Sequence, residues 1–520
     1  MFILLLLFPG THFGQGTDKM NILFIAVDDL KPVLGCYGDT LVHSPNIDAI
    51  AGEGMTFTRN YCQQAVCAPS RVSLMTSRYP DQTRVWDLET RMRNMDPGIV
   101  SLPQYLRQYG YRTAATGKIF DSRSVDEQRD SPSWSIPWGK PWDIRYYSPV
   151  TGKPSYFYAS TKAKDTIALL QAEAVQLGVD QQTYVRERYF PPFESAKVPV
   201  DAYVDGAIAK VGIELMEQLA ASGDPFFLGI GFNRPHLPFN APTQFWDLYN
   251  REDFSLAPFR QQATGSPSIA YHTSGELRSY TGIPATGEVP DGTQLELIHG
   301  YYAAISWIDH LVGQVMERLN ELGLADNTII VLWGDHGWHL GEKRHWSKST
   351  LWEESTRAPL MIMAPGFKSG RCSTPVSFLD IYPTLVELAG LEANPDLEGI
   401  SLVPMMKNTN AERERPALTT HGKGNHSLRT KRWRYTVYND GGEELYDHEN
   451  DVMEWNNLAD DPDYSEVKEQ LKKWLPKKNA EDVYVLQWPE EERKFWEVTL
   501  KAAERYHGKS VYPEGWDDEN

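Results

Sequence analysis

Cysteine is scarce in this chain: Cys36, Cys62, Cys67 and Cys372 are the only four among 520 residues. They form no CxxC pair and are too few to staple a fold of this size, which excludes a disulfide framework and leaves the redox compartment unread. Basic residues are outnumbered, 51 Lys and Arg against 70 Asp and Glu, for a formal net charge of −19. That balance offers no broad cationic face and excludes nucleic acid as a bulk partner. A small anionic substrate is still compatible, provided individual cations converge on it. Long apolar runs are missing too. The run Met1-Phe2-Ile3-Leu4-Leu5-Leu6-Leu7-Phe8 is far shorter than the roughly 20 residues of a bilayer-spanning helix, and no other stretch reads as a membrane span. It is similar to the apolar core of a secretory signal, although no basic residue precedes it. We therefore expect residues 1–18 to be a signal or disordered N-terminus, and the protein to be exported to a periplasm, the extracellular space or a lysosome-like lumen.

Aromatic residues are plentiful, with 16 Trp and 26 Tyr, many in segments that read as loops. Such side chains line sugar sites, and equally they pack cores and loops. The length suits one large domain with an appendage. Continuous apolar runs at Asn21–Val27, Tyr111–Thr116, Pro225–Phe232 and Thr328–Trp333 read as strands buried on both faces. Helical periodicity lies between them, at Ser101–Gln108, Val204–Ala221 and Leu295–Leu322. This alternation predicts an α/β fold, a large, mostly parallel sheet sandwiched by helices. Residues 121–200 and 251–290 lack strong periodicity and read as insertions walling a cleft. Past residue 400, an alternating run over Leu428–Tyr438 reads as a strand, Asp440-Gly441-Gly442 as a turn, Glu443–Asp447 as the return strand and Tyr464–Trp474 as a helix. We therefore assign 19–400 to a catalytic domain and 401–520 to a smaller C-terminal α+β subdomain.

Each predicted strand ends in polar or ionisable residues, and in such sheets ligands bind beyond the carboxyl ends of the strands. The sharpest motif is Cys67-Ala68-Pro69-Ser70-Arg71. A cysteine with Pro at +2 and Arg at +4 arises by accident in roughly one such chain in a hundred, at about 5% usage per residue. The following Val72–Thr76 reads as helix, placing Cys67 near an N-terminus that favours an anion; the plain alternative is a buried structural thiol. Asp28-Asp29 ends the first strand, and adjacent carboxylates repel unless a cation compensates, although a solvated acidic turn has the same look. Asp335-His336 ends another strand and tips the balance toward a hard divalent metal, since the donor set is rich in oxygen. Lys118 and His236 close two further strands, and Gly341–Lys348 follows the metal loop. Any one of these cations alone is ordinary surface charge; converging, they suit a clamp for a tetrahedral anion.

With these residues in hand, the chain resembles the formylglycine-dependent sulfatases of the alkaline-phosphatase-like superfamily, and within them the iduronate-2-sulfatase group. The resemblance spans nearly all of residues 20–460. It includes Val27–Leu30, Leu34–Asp39, Ser44–Asp48, Gln63–Arg71, Pro235-His236, Asp335–Trp338 with Leu340–Glu342, and Leu428–Thr430 ahead of Arg434–Thr436. It implies that a formylglycine-generating maturation enzyme oxidises Cys67 to formylglycine, and that one hydroxyl of the hydrated aldehyde attacks sulfur with Asp335 assisting. That attack expels the alcohol, after which the second hydroxyl is deprotonated and the hemiacetal collapses, releasing sulfate and regenerating the aldehyde. It further implies one calcium ion (Ca2+) held by Asp28, Asp29, Cys67, Asp335 and His336, with Arg71 holding the formylglycine hydroxyl. Lys118 and Lys348 would grip sulfate oxygens, and His236 would protonate the leaving oxygen.

Two positions depart from the family. Thr76-Ser77 stands where Thr-Gly is common, a change at a helix end. Asp121 stands where iduronate-2-sulfatase-like chains carry a His three residues after the Lys, and an acid there disfavours a carboxylate beside the sulfate. The expected substrate is thus an O-sulfated sugar of a polysaccharide or its oligosaccharides, with uronate 2-O-sulfate among the candidates. Lys423, Arg429 and Lys431 are either substrate contacts from the C-terminal part or surface charge. The competing readings are a phosphomonoester, phosphodiester or phosphonate ester hydrolase on the same scaffold, and a non-catalytic carbohydrate-binding relative.

Overall fold

The computed structural model describes residues 19–127, 129–139, 149–150 and 152–480. The N-terminal apolar run, with the signal expected there, lies outside the described residues, as do residues 481–520 of the expected C-terminal subdomain. The apolar runs build a seven-stranded sheet from β1 (Asn21–Val27), β2 (Met55–Phe57), β3 (Arg112–Gly117), β4 (Phe226–Phe232), β5 (Thr328–Gly334), β6 (Leu360–Met363) and β7 (Gly370–Cys372), in the order β7-β2-β6-β5-β1-β4-β3. β1 pairs in parallel with β4 and β5, β3 with β4, and β2 with β7; β6 runs antiparallel to β2 and β5. The sheet is mostly parallel, as the alternating pattern predicts, and the fold is alkaline-phosphatase-like.

Every residue of β1, β4 and β5 is buried, which is why these strands read as unbroken apolar runs rather than alternations. Leu23, Ile25 and Val27 face a layer containing Ile208, Met216, Leu311 and Val315, from the helices Val204–Ala220 and Asp291–Glu321. Ile22, Phe24 and Ala26 face the opposite layer, with Val72, Leu74, Leu102, Leu106 and Ile381.

One expectation needs correction. Residues 428–438 form two strands instead of one, β9 (His426–Arg429) and β10 (Trp433–Val437), within an antiparallel four-stranded sheet that also holds β8 (Ala417–Thr420) and β11 (Glu443–Asp447). The turn between them is closed by Thr430 and Trp433, whose backbones bond at 2.9 Å. Lys431 and Arg432 lengthen a polar run between Leu428 and Trp433, but no Gly, Pro or Asn flags the turn. The stretch 121–200 also contains regular structure, the helices Thr161–Leu177 and Gln181–Arg188. The longer one buries only Ala163 and Ala174, so it shows no apolar stripe and is legible only by its caps, Ser160 and left-handed Gly178. Within 251–290, a single helical turn, Gly275–Arg278, packs beside Trp346-Ser347 at the edge of the site. No helix among the described residues is long and apolar enough to cross a membrane.

Three histidines, His272, His339 and His345, are packed with Trp352 behind that edge; the His272–His345 ring centroids lie 4.6 Å apart and those of His339 and His345 5.5 Å apart. Burial pushes His272 down to about 3 and His345 down to about 4. Because the folded state prefers these imidazoles neutral, their stability is fully present above about pH 6.5 and is lost as pH falls toward 4. At pH 5 His345 alone should cost about 2 kcal/mol. Urea unfolding of the wild type at pH 7.5 and pH 5, repeated with His345→Gln, measures this. The variant's loss on acidification should be smaller by about that amount, and an unchanged pH slope would refute the assignment.

Candidate active site

β5, β1, β4 and β3 are neighbours and parallel, so their carboxyl ends open on one edge of the sheet. β5 delivers Asp335 and His336, β1 delivers Asp28 and Asp29, β4 leads to His236, and β3 leads to Lys118. Asp29 adopts a left-handed backbone, φ 57°, which turns two consecutive carboxylates into the same site instead of onto opposite faces. Its N–H donates to Asp335 Oδ1 at 2.9 Å, and its carbonyl accepts from the Tyr301 hydroxyl at 2.6 Å, so local bonds hold an otherwise disfavoured conformation. At the β3 end a Cβ on Gly117 would stand 2.0 Å from the Gly231 carbonyl oxygen; glycine there lets β3 and β4 close up and aims Lys118 inward.

Cys67 is the first residue of the helix Cys67–Thr76, all of which is buried. Arg71, four residues on, shares its face and lies under the site with no exposure. Its Nε donates to Asp335 Oδ2 at 3.0 Å, Nη2 to Asp28 Oδ1 at 2.8 Å, and Nη1 to the carbonyls of Lys118 and Ile119. Arg71 thus ties the ends of β1, β3 and β5 together, and it also lies 5.4 Å from the Trp333 ring centroid. Burial would raise Asp28, but Lys118 and Arg71 hold its carboxyl well below the usual range. Asp335 moves the other way: burial pushes it up, with Asp28 adding to the effect. The helix ends at Ser77, also left-handed at φ 51°, where the Ser hydroxyl donates to the Leu379 carbonyl at 2.7 Å. That bond compensates for the missing glycine.

Lys118 Nζ bonds Asp28 at 2.6 Å, and Lys348 Nζ bonds both Asp29 oxygens at 3.0 and 2.9 Å. His236 donates from Nδ1 to the Leu237 carbonyl at 2.7 Å, which turns Nε2 toward Glu276, 3.0 Å away, and toward Asp29 at 3.9 Å. The side chain is 25% exposed, enough to meet a ligand. Burial opposes its charge, but Asp29 and Glu276 outweigh that and raise its pKa. Glu276, on the turn Gly275–Arg278, also accepts from Lys348 at 3.1 Å and is not marked by any sequence pattern. Four residues of helix in an aperiodic stretch carry no periodicity, and only the left-handed Ser274 before them, which anchors Trp346 N–H at 3.0 Å, marks the turn.

All nine residues singled out from the sequence therefore meet at one place: Asp28, Asp29, Cys67, Arg71, Lys118, His236, Asp335, His336 and Lys348. Other candidates do not. Lys343 reaches the Met453 carbonyl, Arg344 pairs with Glu288 on the surface, and Arg429 is buried against Glu353.

Ligand atoms of Asp29, Cys67, Asp335 and His336 lie within 4.8 Å of one another. His336 Nδ1 is bonded to the Gly337 carbonyl at 3.0 Å, leaving Nε2 directed at Cys67 Sγ, 3.4 Å away. Carboxylates with one imidazole and a single buried thiol fit a hard divalent cation. Asp28, Asp29, Asp335 and Glu276 face Arg71, Lys118, Lys348 and His236, so with His236 protonated the carboxylates and cations balance. A divalent ion would add the net positive charge that an anionic substrate requires. The thiol itself is a poor nucleophile here, because burial pushes Cys67 well above its usual pKa and Asp28 adds to this.

A family model described as Sulfatase matches residues 20–391, and one described as N-sulphoglucosamine sulphohydrolase, C-terminal, matches residues 341–481. A protein of Formosa agariphila named sulfatase is 32% identical over 480 residues, covering 89% of this chain and 87% of its own. Iduronate 2-sulfatase of Mus musculus is 34% identical over 414 residues, covering 74% of this chain and 71% of its own. A protein solved in complex with its substrate D-glucosamine-2-N,6-O-disulfate shares the fold, with a TM-score of 0.69 at 20% identity over 88% of this chain and 96% of that one.

Replacing Arg71 with Met keeps volume and removes the tie, leaving buried Asp335 without its guanidinium partner and Asp28 with Lys118 alone. Such a change should cost about 3–5 kcal/mol. It should also weaken any divalent-cation binding at this site, because Asp28 and Asp335 lose their common anchor. Urea unfolding and calorimetric titration with calcium chloride measure the two effects, and wild-type values for both would show that Arg71 is not the anchor.

Proposed function

The chain belongs to the sulfatase family and is a sulfuric ester hydrolase, and from that premise we propose that it removes sulfate from O-sulfated sugars of a polysaccharide or its oligosaccharides, using a formylglycine formed at Cys67 and a bound divalent metal. The observation that carries this reading is the placement of Cys67. The residue is buried and inert as a thiol, yet it heads a helix and stands 3.9 Å from Asp29 and 3.4 Å from His336. A cysteine so placed is of little use unmodified. Oxidised by a maturation enzyme, it supplies an aldehyde and through it an oxygen nucleophile that can also let go of the product. A calcium ion fits the oxygen-rich donors, would be held by Asp28, Asp29, Asp335, His336 and the modified residue 67, and would polarise the bound oxygens.

The remaining work falls to side chains already in position. Arg71 fixes Asp28 and Asp335 from below, so both point at the reacting group without rearrangement. Lys118 and Lys348 exchange part of their contact with Asp28 and Asp29 for sulfate oxygens. His236 holds a proton on Nε2, at the partly exposed side of the site, where a leaving sugar oxygen departs and needs that proton. Glu276 is a positioning residue: it keeps the imidazole turned inward and favours its charged form. An exported enzyme acting on sulfated polysaccharide fits this assignment.

Sulfate release followed by ion chromatography tests the reading, using protein shown by peptide mass to carry formylglycine at position 67. The panel holds sulfated uronate and galactose oligosaccharides, 4-nitrocatechol sulfate and a phosphate ester. At least one sulfated sugar should be hydrolysed, and Cys67→Ala should lose about 10⁴-fold or more. Turnover of the phosphate ester alone would overturn the proposal. Leaving-group dependence separates the roles of His236 and Glu276. His236→Ala should lower kcat on sugar sulfates by about 10²–10⁴-fold, and Glu276→Gln by less. 4-Nitrocatechol sulfate, whose leaving group needs no proton, should be nearly unaffected, and equal losses on both substrate types would remove His236 from the acid role.

A further inference from the structure

An unpaired acid at position 121 would repel any second anionic group next to the scissile sulfate, but Asp121 is not unpaired. Its carboxylate is buried, and the turn Asp121–Ser124 folds Arg123 back onto it, Nε to Oδ1 and Nη2 to Oδ2, both at 2.8 Å. The Arg123 backbone N–H adds a third bond to Oδ1 at 3.1 Å, and Ser124 closes the turn through its N–H and hydroxyl on the Asp121 carbonyl. On its other side, Asp121 Oδ2 lies 3.7 Å from Lys118 Nζ, which itself bonds Asp28. The result is a row of alternating charges, Asp28, Lys118, Asp121 and Arg123, running outward from the nucleophile position.

Asp121 and Arg123 differ sharply in exposure, 3% against 51% of the side chain. Asp121 therefore acts as an anchor, and the guanidinium it holds is what meets solvent at the rim. Arg123 Nη1 makes no hydrogen bond among the described residues. Glu89 lies within electrostatic range of the same guanidinium, so the rim is not indiscriminately cationic. A guanidinium held rigidly by a bidentate carboxylate presents its free N–H groups in a fixed plane, the arrangement that recognises carboxylate or sulfate by direction as well as by charge.

We propose that Arg123 reads a second anionic group, a carboxylate or a further sulfate, carried by the substrate on the same or the adjoining sugar as the sulfate that is removed. This rests on the sulfated-sugar reading above and narrows it to sugars bearing two or more negative charges. The loss of a histidine at position 121 is thereby offset by an arginine two residues later, supplied with its own anchor.

The test compares wild type, Arg123→Ala and Arg123→Lys on four substrates: a 2-sulfated uronate disaccharide, a disulfated neutral disaccharide, a monosulfated neutral disaccharide and 4-nitrocatechol sulfate. Arg123→Ala should raise KM about tenfold or more for at least one of the doubly charged sugars, with kcat little changed. The singly charged substrates should stay within about twofold, and Arg123→Lys should recover part of the loss. Which doubly charged sugar responds distinguishes carboxylate from second sulfate. Equal losses on all four substrates, or none on either doubly charged sugar, would overturn the assignment. Calorimetric binding of the same sugars to Cys67→Ala protein, with and without Arg123→Ala, reads the contact without turnover. Arg123-dependent binding with no sulfate release by the wild type would sink the sulfated-sugar reading and the assignment that rests on it, whereas sulfate release with no Arg123 dependence of binding or KM would overturn the Arg123 assignment alone.

Discussion

The guanidinium of Arg71 is the constraint on which the rest of the site depends. Asp28 and Asp335 come from adjacent strands and would repel one another in a dry interior. Arg71 lies between them with no exposure, bonds both, and spends Nη1 on the carbonyls that end β3. One buried cation thereby fixes three strand ends to the helix that carries Cys67. Removing one partner of such a network leaves uncompensated buried charge, so its cost is set by desolvation far more than by any single bond.

Above that anchor the charges are arranged in pairs that a ligand can pull apart. Lys118 rests on Asp28, Lys348 rests on Asp29 and Glu276, and His236 rests on Glu276. Lone buried ammonium groups would shed their protons; in spite of burial, the surrounding carboxylates keep both lysines charged. The cations needed for an anion are thus stored ionised and oriented. The carboxylates that hold Lys118 and Lys348 are also the ones that would hold a divalent cation, so its binding would leave both lysines free to meet an anion, and the two bindings would reinforce one another.

Much of this is legible in the sequence, and the boundary between what is and what is not has a physical origin. Strands buried on both faces must be apolar throughout, so β1, β4 and β5 announce themselves, and the polar residues that interrupt them fall at the strand ends where the site forms. Cys67 and Arg71 sit one helical turn apart, a spacing that the sequence itself displays. Glu276 is illegible because its position is set by a left-handed turn and a bond to Trp346, not by periodicity. The partnership of Asp121 with Arg123 is hidden for a related reason. An acid in a sequence shows its charge, but the neighbour that neutralises it depends on a tight turn through Ser124. The division of 428–438 into two strands is concealed in the same way, at a turn built by Thr430 without glycine.

The C-terminal sheet contributes to the site without entering it. Glu353 accepts from Tyr61 at 3.0 Å, from Arg429 at 3.1 Å and from Arg434 at 2.6 Å, so β9 and β10 clamp the segment around residue 353. That segment in turn bonds Gly337 N–H through the Ser355 carbonyl at 2.8 Å, beside His336. A Cβ on Gly337 would stand 2.0 Å from the Glu354 carbonyl oxygen, which shows how closely the clamp presses on the loop that carries Asp335 and His336. The chemistry is therefore held on two sides, by Arg71 from beneath the sheet edge and by the C-terminal sheet through Glu353. The rim at Asp121–Ser124 is held by neither. It bears on its own short turn, and a turn of that kind can change from one chain to another without disturbing Cys67 or the carboxylates at the strand ends. On the proposed reading of Arg123, substrate choice would drift at the rim while the strand ends that carry the chemistry stay fixed.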